Sequence, residues 1–533
     1  MRLVNVAEMR ELERVAIEEY GVPSIVLMEN AARQTADLIE TRLGKLKGKR
    51  ILIFAGKGNN GGDGLAVARY MANRGAAVRV LFFGNPEANQ GDAKINREIV
   101  EAMKIDLIAV HGDRDLDRIR QSIAVSDCLV DALLGIGFSG QLKDGMRRIT
   151  EMMNESGKYI VAVDVPTGVH ADSGQVAVGA VRAHDTITFG ACKLGLVLYP
   201  GSAYCGRITI ASIGIPEKLA LQTGAVQVID DDCTVDIEAN RLPYAHKGSC
   251  GRVVIAGGSV GLTGAAVLAS TSALRSGAGL VTVCTPKSVG QILEMKTTEA
   301  MTMMLDDTEA GTLAMSALEE LLLKANRSDV LVIGPGLGRE EETMDLVEAV
   351  VRQAEVPLII DADALYALAR RPEVLLEAKA LPILTPHPGE LANLLHISIA
   401  EVNARRIEIA REAAKVFHSI VVLKGARTVV AYPDGDVYLN VCGNEGMASG
   451  GMGDVLAGAI GALVGQGLSS HDAAVTGVRL HAMAGDIVAK DGKIGLVAGD
   501  VANAMRLAVR ERHGEMLPEF GRENGDKMFD FLT

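Results

Sequence analysis

The sequence contains no tryptophan and only 3% aromatic residues, so a core built on large rings is excluded. It also lacks any CxxC pair, and its 7 cysteines, at positions 128, 192, 205, 233, 250, 284 and 442, form an odd set. That spacing argues against a disulfide framework and against a CxxC metal module, and the cysteines read as buried thiols of a reducing compartment. Basic runs are missing too: 54 Lys and Arg are scattered among 67 Asp and Glu, for a net charge of −13. Nucleic-acid binding therefore finds no support. An anionic ligand would be repelled by the global field and has to be held by local backbone N–H groups and a few lysines. Neither a run of 18 uncharged apolar residues nor an apolar leader occurs, since residues 1–21 carry charges throughout. The expectation is a soluble cytoplasmic protein without a membrane partner.

What is present is small and apolar. Hydrophobic residues make up 48% of the chain and glycine occupies 59 positions, a profile that suits strands of Val, Ile and Leu joined to helices through glycine turns. At 533 residues the chain exceeds what one core usually supports, which predicts two domains. In the first half, apolar runs at 50–55, 77–83, 128–132, 159–163 and 186–189 alternate with helix-length segments, after predicted helices over 6–20 and about 25–43. In the second half such runs recur at 251–256, 331–333, 358–360, 382–385 and 420–423. This alternation predicts two doubly wound parallel sheets. The expected boundaries are 1–225 for the first domain, 226–240 for a linker, 241–510 for the second domain and 511–533 for a C-terminal tail.

In the first half, Gly56-Lys-Gly-Asn-Asn-Gly-Gly-Asp-Gly64 follows a strand and precedes a helix, a setting that favours phosphate. The next strand ends in Gly84-Asn85 without the acidic residue of a dinucleotide fold, which weakens a dehydrogenase reading. No Gly-Lys-Ser/Thr closes the loop as a P-loop requires. Further strand ends carry Asp131 before Gly135-Ile-Gly137-Phe-Ser-Gly140, Asp164-Val-Pro-Thr167-Gly168, and Ala191-Cys-Lys193-Leu-Gly195. In an open parallel sheet these groups share one edge.

GKGNNGGDG, DALLGIG, DVPTG and ACKLG, in this order, resemble the N-terminal domain of NAD(P)H-hydrate epimerases over about residues 1–215. The resemblance implies a Rossmann-like three-layer sandwich. It also implies contacts to the hydrated nucleotide from Asn59, Asn60, Gly61, Gly62 and Asp63, and from Gly135, Ile136, Gly137, Phe138, Ser139, Gly140 and Gln141. Asp164 would meet the altered ring and serve as acid or base, with Lys193 as a supporting charge. Asn60, Asp131 and Thr167 would hold a potassium ion, an oxygen-only set that suits a hard cation.

The densest signal lies in the second half, where Asn444-Glu-Gly-Met-Ala-Ser-Gly-Gly-Met-Gly453-Asp454 enters a long helix of small residues. Glycines at this place are expected to build an anion hole of N–H donors just before the helix, with Asp454 placed to take a proton from a hydroxyl. The Gly-Xaa-Gly-Asp pattern resembles the ribokinase-like superfamily. With Ala256-Gly-Gly-Ser259, Gly334-Pro-Gly-Leu-Gly338, Asp361-Ala-Asp363, Thr385-Pro-His-Pro-Gly-Glu390 and Lys424-Gly-Ala-Arg-Thr428, residues 245–505 resemble ADP/ATP-dependent NAD(P)H-hydrate dehydratase. The resemblance implies substrate contacts at Ala265, Gly336, Gly338, His387 and Asp454. It places the adenine nucleotide against Lys424, Gly425, Ala426, Arg427, Thr428 and Gly453. Glu445 stands where many such proteins carry proline, adding a charge near the nucleotide phosphates.

The implied chemistry is bifunctional repair of hydrated NADH and NADPH (NADHX and NADPHX). One half interconverts the R and S epimers, and the other phosphorylates the ring hydroxyl of the S form from ADP (or ATP) with Mg²⁺ and expels phosphate. Potassium would accompany the first half, and a homo-oligomer is compatible with so apolar a chain. The rival reading is a vitamin-pathway kinase of the ribokinase-like type fused to a non-catalytic nucleotide-binding domain.

Overall fold

The computed structural model describes residues 1–111, 115–238, 241–511 and 529–532. It divides into two compact units, residues 1–225 with 519–533, and residues 226–518.

In the first unit the strand order is Asp106–Val110, Ala77–Phe83, Arg50–Ala55, Cys128–Ala132, Tyr159–Val163, Asp185–Phe189 and Arg207–Ala211, every neighbouring pair parallel. Counted along the chain this is 3-2-1-4-5-6-7, the doubly wound order. The strand order reverses between Arg50–Ala55 and Cys128–Ala132, where ligands enter such sheets. Alternate residues of one strand feed two separate cores. Ile51 and Ile53 pack under helices Ser24–Leu43 and Asn59–Asn73, while Leu52 and Phe54 face the side of Leu116–Val125 and Asp144–Glu155. Helices on both faces make the expected three layers.

Glycine is obligatory where the loop after Arg50–Ala55 turns into its helix. A Cβ on Gly61 would stand 1.7 Å from the Gly56 carbonyl oxygen, and one on Gly64 would stand 2.6 Å from the Ala132 Cβ. The helix can start over the sheet edge only because those atoms are absent.

The second unit repeats the scheme. Its order is Met301–Leu305, Leu280–Pro286, Arg252–Ala256, Val330–Ile333, Leu358–Ile360, Ile383–Leu384 and Ile420–Leu423, again parallel and again 3-2-1-4-5-6-7. Two antiparallel strands, Val429–Ala431 and Val437–Leu439, extend the edge. The helix Met452–Gly465 is buried on nearly every side, against Val253, Val332 and Ile359 of the sheet and against the helices Thr263–Arg275 and Ser470–Val488. Gly458 lets it lie flush on Thr263–Arg275, since a Cβ there would come within 2.1 Å of the Ala269 carbonyl oxygen.

Part of the expected linker is structured. Val226–Val228 is a strand parallel to Val437–Leu439 and belongs to the second unit. Val226 and Val228 are buried, but a run of three residues carries too little periodicity to stand out. Residues 239 and 240 of that linker lie outside the described residues. The expected tail does so for 512–528 and 533, while Phe529–Leu532 is a further parallel strand beside Arg207–Ala211.

Candidate active sites

In the first unit, the strand Tyr159–Val163 ends on Asp164, which takes a left-handed backbone conformation at φ 65°. A non-glycine residue there stores strain, and such strain concentrates where a side chain has to be aimed. The Asp164 carboxylate receives Lys193 Nζ at 2.6 Å, Thr188 Oγ1 at 3.1 Å and the Phe189 N–H at 3.4 Å. Lys193 is 1% exposed and also donates to Thr188 Oγ1 and the Phe189 carbonyl, so it is a fixed buried partner rather than a surface lysine.

This pair opens on a cavity of about 860 Å³. Its walls include Asn59, Asn60 and Asp63 of the glycine loop, Gly135 to Ser139 and Gln141 of the second loop, and Arg10 and Glu13 of the first helix. Gly61, Gly62 and Gly140 are not part of the wall; the first two are packed beneath it as the start of the helix Asn59–Asn73. Burial, reinforced by the nearby Asp164 and Glu13 charges, pushes the Asp63 carboxyl well above its ordinary range. Burial also raises Glu13, against the opposing pull of Lys193.

Behind the cavity, the fully buried Asp131 accepts the Thr167 N–H at 2.8 Å, the Thr167 hydroxyl at 2.7 Å and the Leu133 N–H at 3.3 Å. Burial pushes its carboxyl up to about 6 despite those bonds. Thr167 Oγ1 in turn accepts from the Leu134 N–H at 3.1 Å, and Asn60 packs against the adjacent Gly135. Both polar atoms of the Asn60 amide are buried without a hydrogen-bond partner. A buried carboxylate, a hydroxyl whose proton is already committed and an unpartnered amide oxygen are an oxygen set that a monovalent hard cation satisfies.

In the second unit, Gly451 caps the helix Met452–Gly465 at φ 91°, so Gly453 lies inside the first turn rather than before the helix. The glycine that makes the turn is Gly451, and Gly453, expected just before the helix, is already part of it. Asp454 follows in that first turn, and burial plus the Asp361 charge push its carboxyl up to about 7, with Lys424 opposing. Lys424 Nζ binds Asp361 Oδ1 at 2.5 Å and stands 3.8 Å from Glu390 Oε2. A Cβ on Gly453 would meet Lys424 Nζ at 3.0 Å, so glycine leaves room for the ammonium beside the helix N-terminus. Burial opposes the Lys424 charge, but Asp361 and Glu390 outweigh it and hold the ammonium above its ordinary value.

His387 caps the helix Pro388–Leu395. Its Nδ1 accepts the N–H groups of Gly389 and Glu390 at 3.0 and 3.2 Å, while Glu390 Oε2 accepts the His387 N–H at 2.7 Å. An accepting Nδ1 leaves the proton of the neutral ring on Nε2, which stands 3.4 Å from Glu390 Oε1. Burial and then Lys424 lower the His387 pKa, favouring that neutral form, and burial raises Glu390 to about 7. Gly338 donates its N–H to Asp363 Oδ2 at 3.0 Å, Ser259 Oγ donates to the Gly336 carbonyl at 2.9 Å, and Gly336 packs on Ala265. In the segment Lys424–Thr428, Arg427 is buried and donates to the Val441 carbonyl at 2.7 Å, leaving Gly425 and Ala426 exposed. Lys493 meets Glu445 at 3.1 Å and offsets the charge expected to face the phosphates.

The NAD(P)H-hydrate dehydratase family matches over residues 253–506, and the family described as YjeF-related protein N-terminus over residues 24–195. The bifunctional NAD(P)H-hydrate repair enzyme Nnr of Moorella thermoacetica is 45% identical over 519 residues, which are 97% of this chain and 98% of that protein. This chain belongs to the bifunctional NAD(P)H-hydrate repair enzyme family. The Nnr protein of Escherichia coli is 35% identical over 523 residues, 98% of this chain and 95% of that one. A solved ADP/ATP-dependent NAD(P)H-hydrate dehydratase of Bacillus subtilis, co-crystallised with ATP/Mg²⁺, is 29% identical; the match covers 54% of this chain and 99% of that chain, with a TM-score of 0.46.

Full-length agreement with repair enzymes sets aside the vitamin-pathway kinase fused to a non-catalytic module. Within this NAD(P)H-hydrate repair enzyme, three groups had escaped sequence reasoning as site residues: Asp361, Glu390 and Glu13. The first two were visible as parts of motifs, Asp361 before a turn and Glu390 three residues after His387, the spacing of a helix-capping box. Glu13 gave no motif at all.

Proposed function

We propose that the first unit interconverts the R and S epimers of NADHX and NADPHX, and that the second dehydrates the S epimer at the expense of ADP, or ATP. The observation that carries the first half is the Lys193–Asp164 pair at the mouth of a large cavity walled by the glycine loop. Epimerisation breaks and re-forms the bond between the ring carbon and its hydroxyl, and Asp164 is the group that accepts or returns the proton. Lys193 holds it in place through the 2.6 Å contact. Asn60, Asp131 and Thr167 hold potassium, which supplies a fixed positive charge beside the nucleotide-binding loops.

In the second half Asp454 takes the proton of the ring hydroxyl as the nucleotide's terminal phosphoryl group is transferred to it. The lone pair of the ring nitrogen then expels phosphate as a C=N⁺ bond forms, and loss of a proton from the neighbouring ring carbon to water returns that pair to nitrogen and restores the C=C double bond. Ala265, Gly336, Gly338 and His387 position the ring. Lys424, the exposed backbone of Gly425 and Ala426, Arg427, Thr428 and Gly453 hold the nucleotide. Mg²⁺ accompanying the nucleotide would supply positive charge against its phosphates.

All seven cysteines are free thiols, which suits the cytoplasm. No described helix is long and apolar enough to cross a membrane. Assembly into a homo-oligomer belongs to the same reading. The test is absorbance at 340 nm with NADHX and either ADP or ATP: NADH should appear only when nucleotide is present. A stable phosphorylated product without NADH would contradict it.

A further inference from the structure

The first helix, Val6–Glu18, presents three stripes instead of two. Met9, Leu12 and Ala16 are buried in the core, and Glu11, Arg14 and Glu18 form an exposed ion-pair ladder. Between them, Arg10, Glu13 and Ile17 recur at i, i+3 and i+7, the spacing of one helix face, and all three line the cavity of the first unit. Folding accounts for the first two stripes. The third places a carboxyl between Arg10 and Ile17 on the wall, facing Asp164 and Lys193 across the cavity, with Arg10 on its own helix, Asp63 on the glycine loop, and Lys57, Asp92 and Lys143 as the other charged groups of the lining. Four carboxyls, Glu13, Asp63, Asp92 and Asp164, thus line one cavity with a single buried ammonium, and only Asp164 is bonded to it.

We propose that Glu13 is the second acid/base group of the epimerase, working with Asp164 from a different wall of the cavity. This rests on the epimerase reading of the first unit. The step balances as follows. Glu13 gives its proton to the ring hydroxyl, the C–O bond breaks with its electron pair leaving on water, and the lone pair of the ring nitrogen forms a C=N⁺ bond. Water then adds to the other face of that carbon, the C=N⁺ pair returns to nitrogen, and the proton of the added water passes to the Asp164 carboxylate. One passage leaves Glu13 ionised and Asp164 protonated. The opposite passage, or exchange with solvent water, resets them. Burial raises the Glu13 pKa, as an acid that must hold its proton near neutrality requires.

The test uses the full chain without nucleotide, so that dehydration is silent, and purified S-NADHX whose conversion to R-NADHX is followed by chromatography at early times from pH 6 to 9. Wild type should exceed the spontaneous rate and decline on the alkaline side. Glu13→Gln should lower kcat by about 10²-fold or more with KM within threefold, and should lose the alkaline decline. Glu13→Asp, which keeps an acid on a shorter arm, should restore part of the rate and the decline, and so guards against mere misfolding of the amide variant. Near-wild-type kcat in Glu13→Gln, or a loss confined to KM with the alkaline decline intact, overturns the assignment. Wild type no faster than solution would instead overturn the epimerase reading on which it rests.

Discussion

In the proposed mechanism Asp454 and Asp164 both move protons, from opposite surroundings. Asp454 is raised to about 7 by burial and by Asp361, so a large part of it is protonated at neutral pH, whereas Asp164 is locked to an ammonium. A base raised in this way works only after it loses its proton. Dehydration should therefore climb as pH rises through about 7 and level off above it, and Asp454→Asn should cut the rate by about 10²–10⁴ and abolish the climb. Glu390 titrates in the same range, so the pH profile of kcat/KM should be taken on Glu390→Gln as well, which should keep the climb. A flat profile in the wild type would count against Asp454 as the base. For Lys193→Met, the prediction is a loss of about 3 kcal/mol in the first unit's thermal or denaturant transition, because Asp164 is left largely buried without its counter-charge. Adding Asp164→Asn should recover most of that loss, and purely additive destabilisation would show that the pair is not coupled. At the proposed potassium site, exchange of potassium for a bulky organic cation should lower epimerase activity, and Asp131→Asn should remove the dependence. Indifference of the wild type to the exchange would reduce Asn60, Asp131 and Thr167 to a hydrogen-bond network.

Strand ends were the most legible elements of the sequence. A strand buried on both faces is a continuous apolar run, and the glycine or aspartate that ends it marks the turn, as at Ala55-Gly56, Val163-Asp164 and Ile360-Asp361. Short edge elements were not legible, Val226–Val228 among them, because three residues hold one period and a half. Helix starts were harder to read at glycine runs: the helix Asn59–Asn73 begins inside the motif expected to precede it, and Gly453 was placed outside its helix, since a run of glycines does not reveal where the turn ends. Glu13 stayed hidden for another reason. A charged residue beside the apolar stripe of a helix looks solvated, and only the fold shows that the stripe's neighbour faces a cavity. Small residues between helices carry their own prediction. Gly458→Ala should destabilise the second unit by about 1–3 kcal/mol, because the added methyl meets the Ala269 carbonyl and the packed helices cannot both yield. Circular dichroism melting would check this, and an unchanged transition would mean the contact relaxes freely.

Two units of the same winding order, each with its polar groups gathered at strand ends, place two complete sets of chemistry on one chain. The first set breaks and re-forms one C–O bond without a nucleotide; the second consumes a nucleotide to expel the same oxygen. Their union is useful only if they handle different epimers of one damaged cofactor. The most direct test is a time course at 340 nm on a mixture of R and S NADHX with nucleotide, comparing wild type, Asp164→Asn and Asp454→Asn. Wild type should restore all of the NADH. Asp164→Asn should give a fast partial phase that then nearly stalls at the fraction already in the S form, and Asp454→Asn should equilibrate the epimers by chromatography while restoring little NADH. Adding the Asp454→Asn protein to the stalled Asp164→Asn reaction should restart it. Completion by Asp164→Asn alone at the wild-type rate would contradict the account.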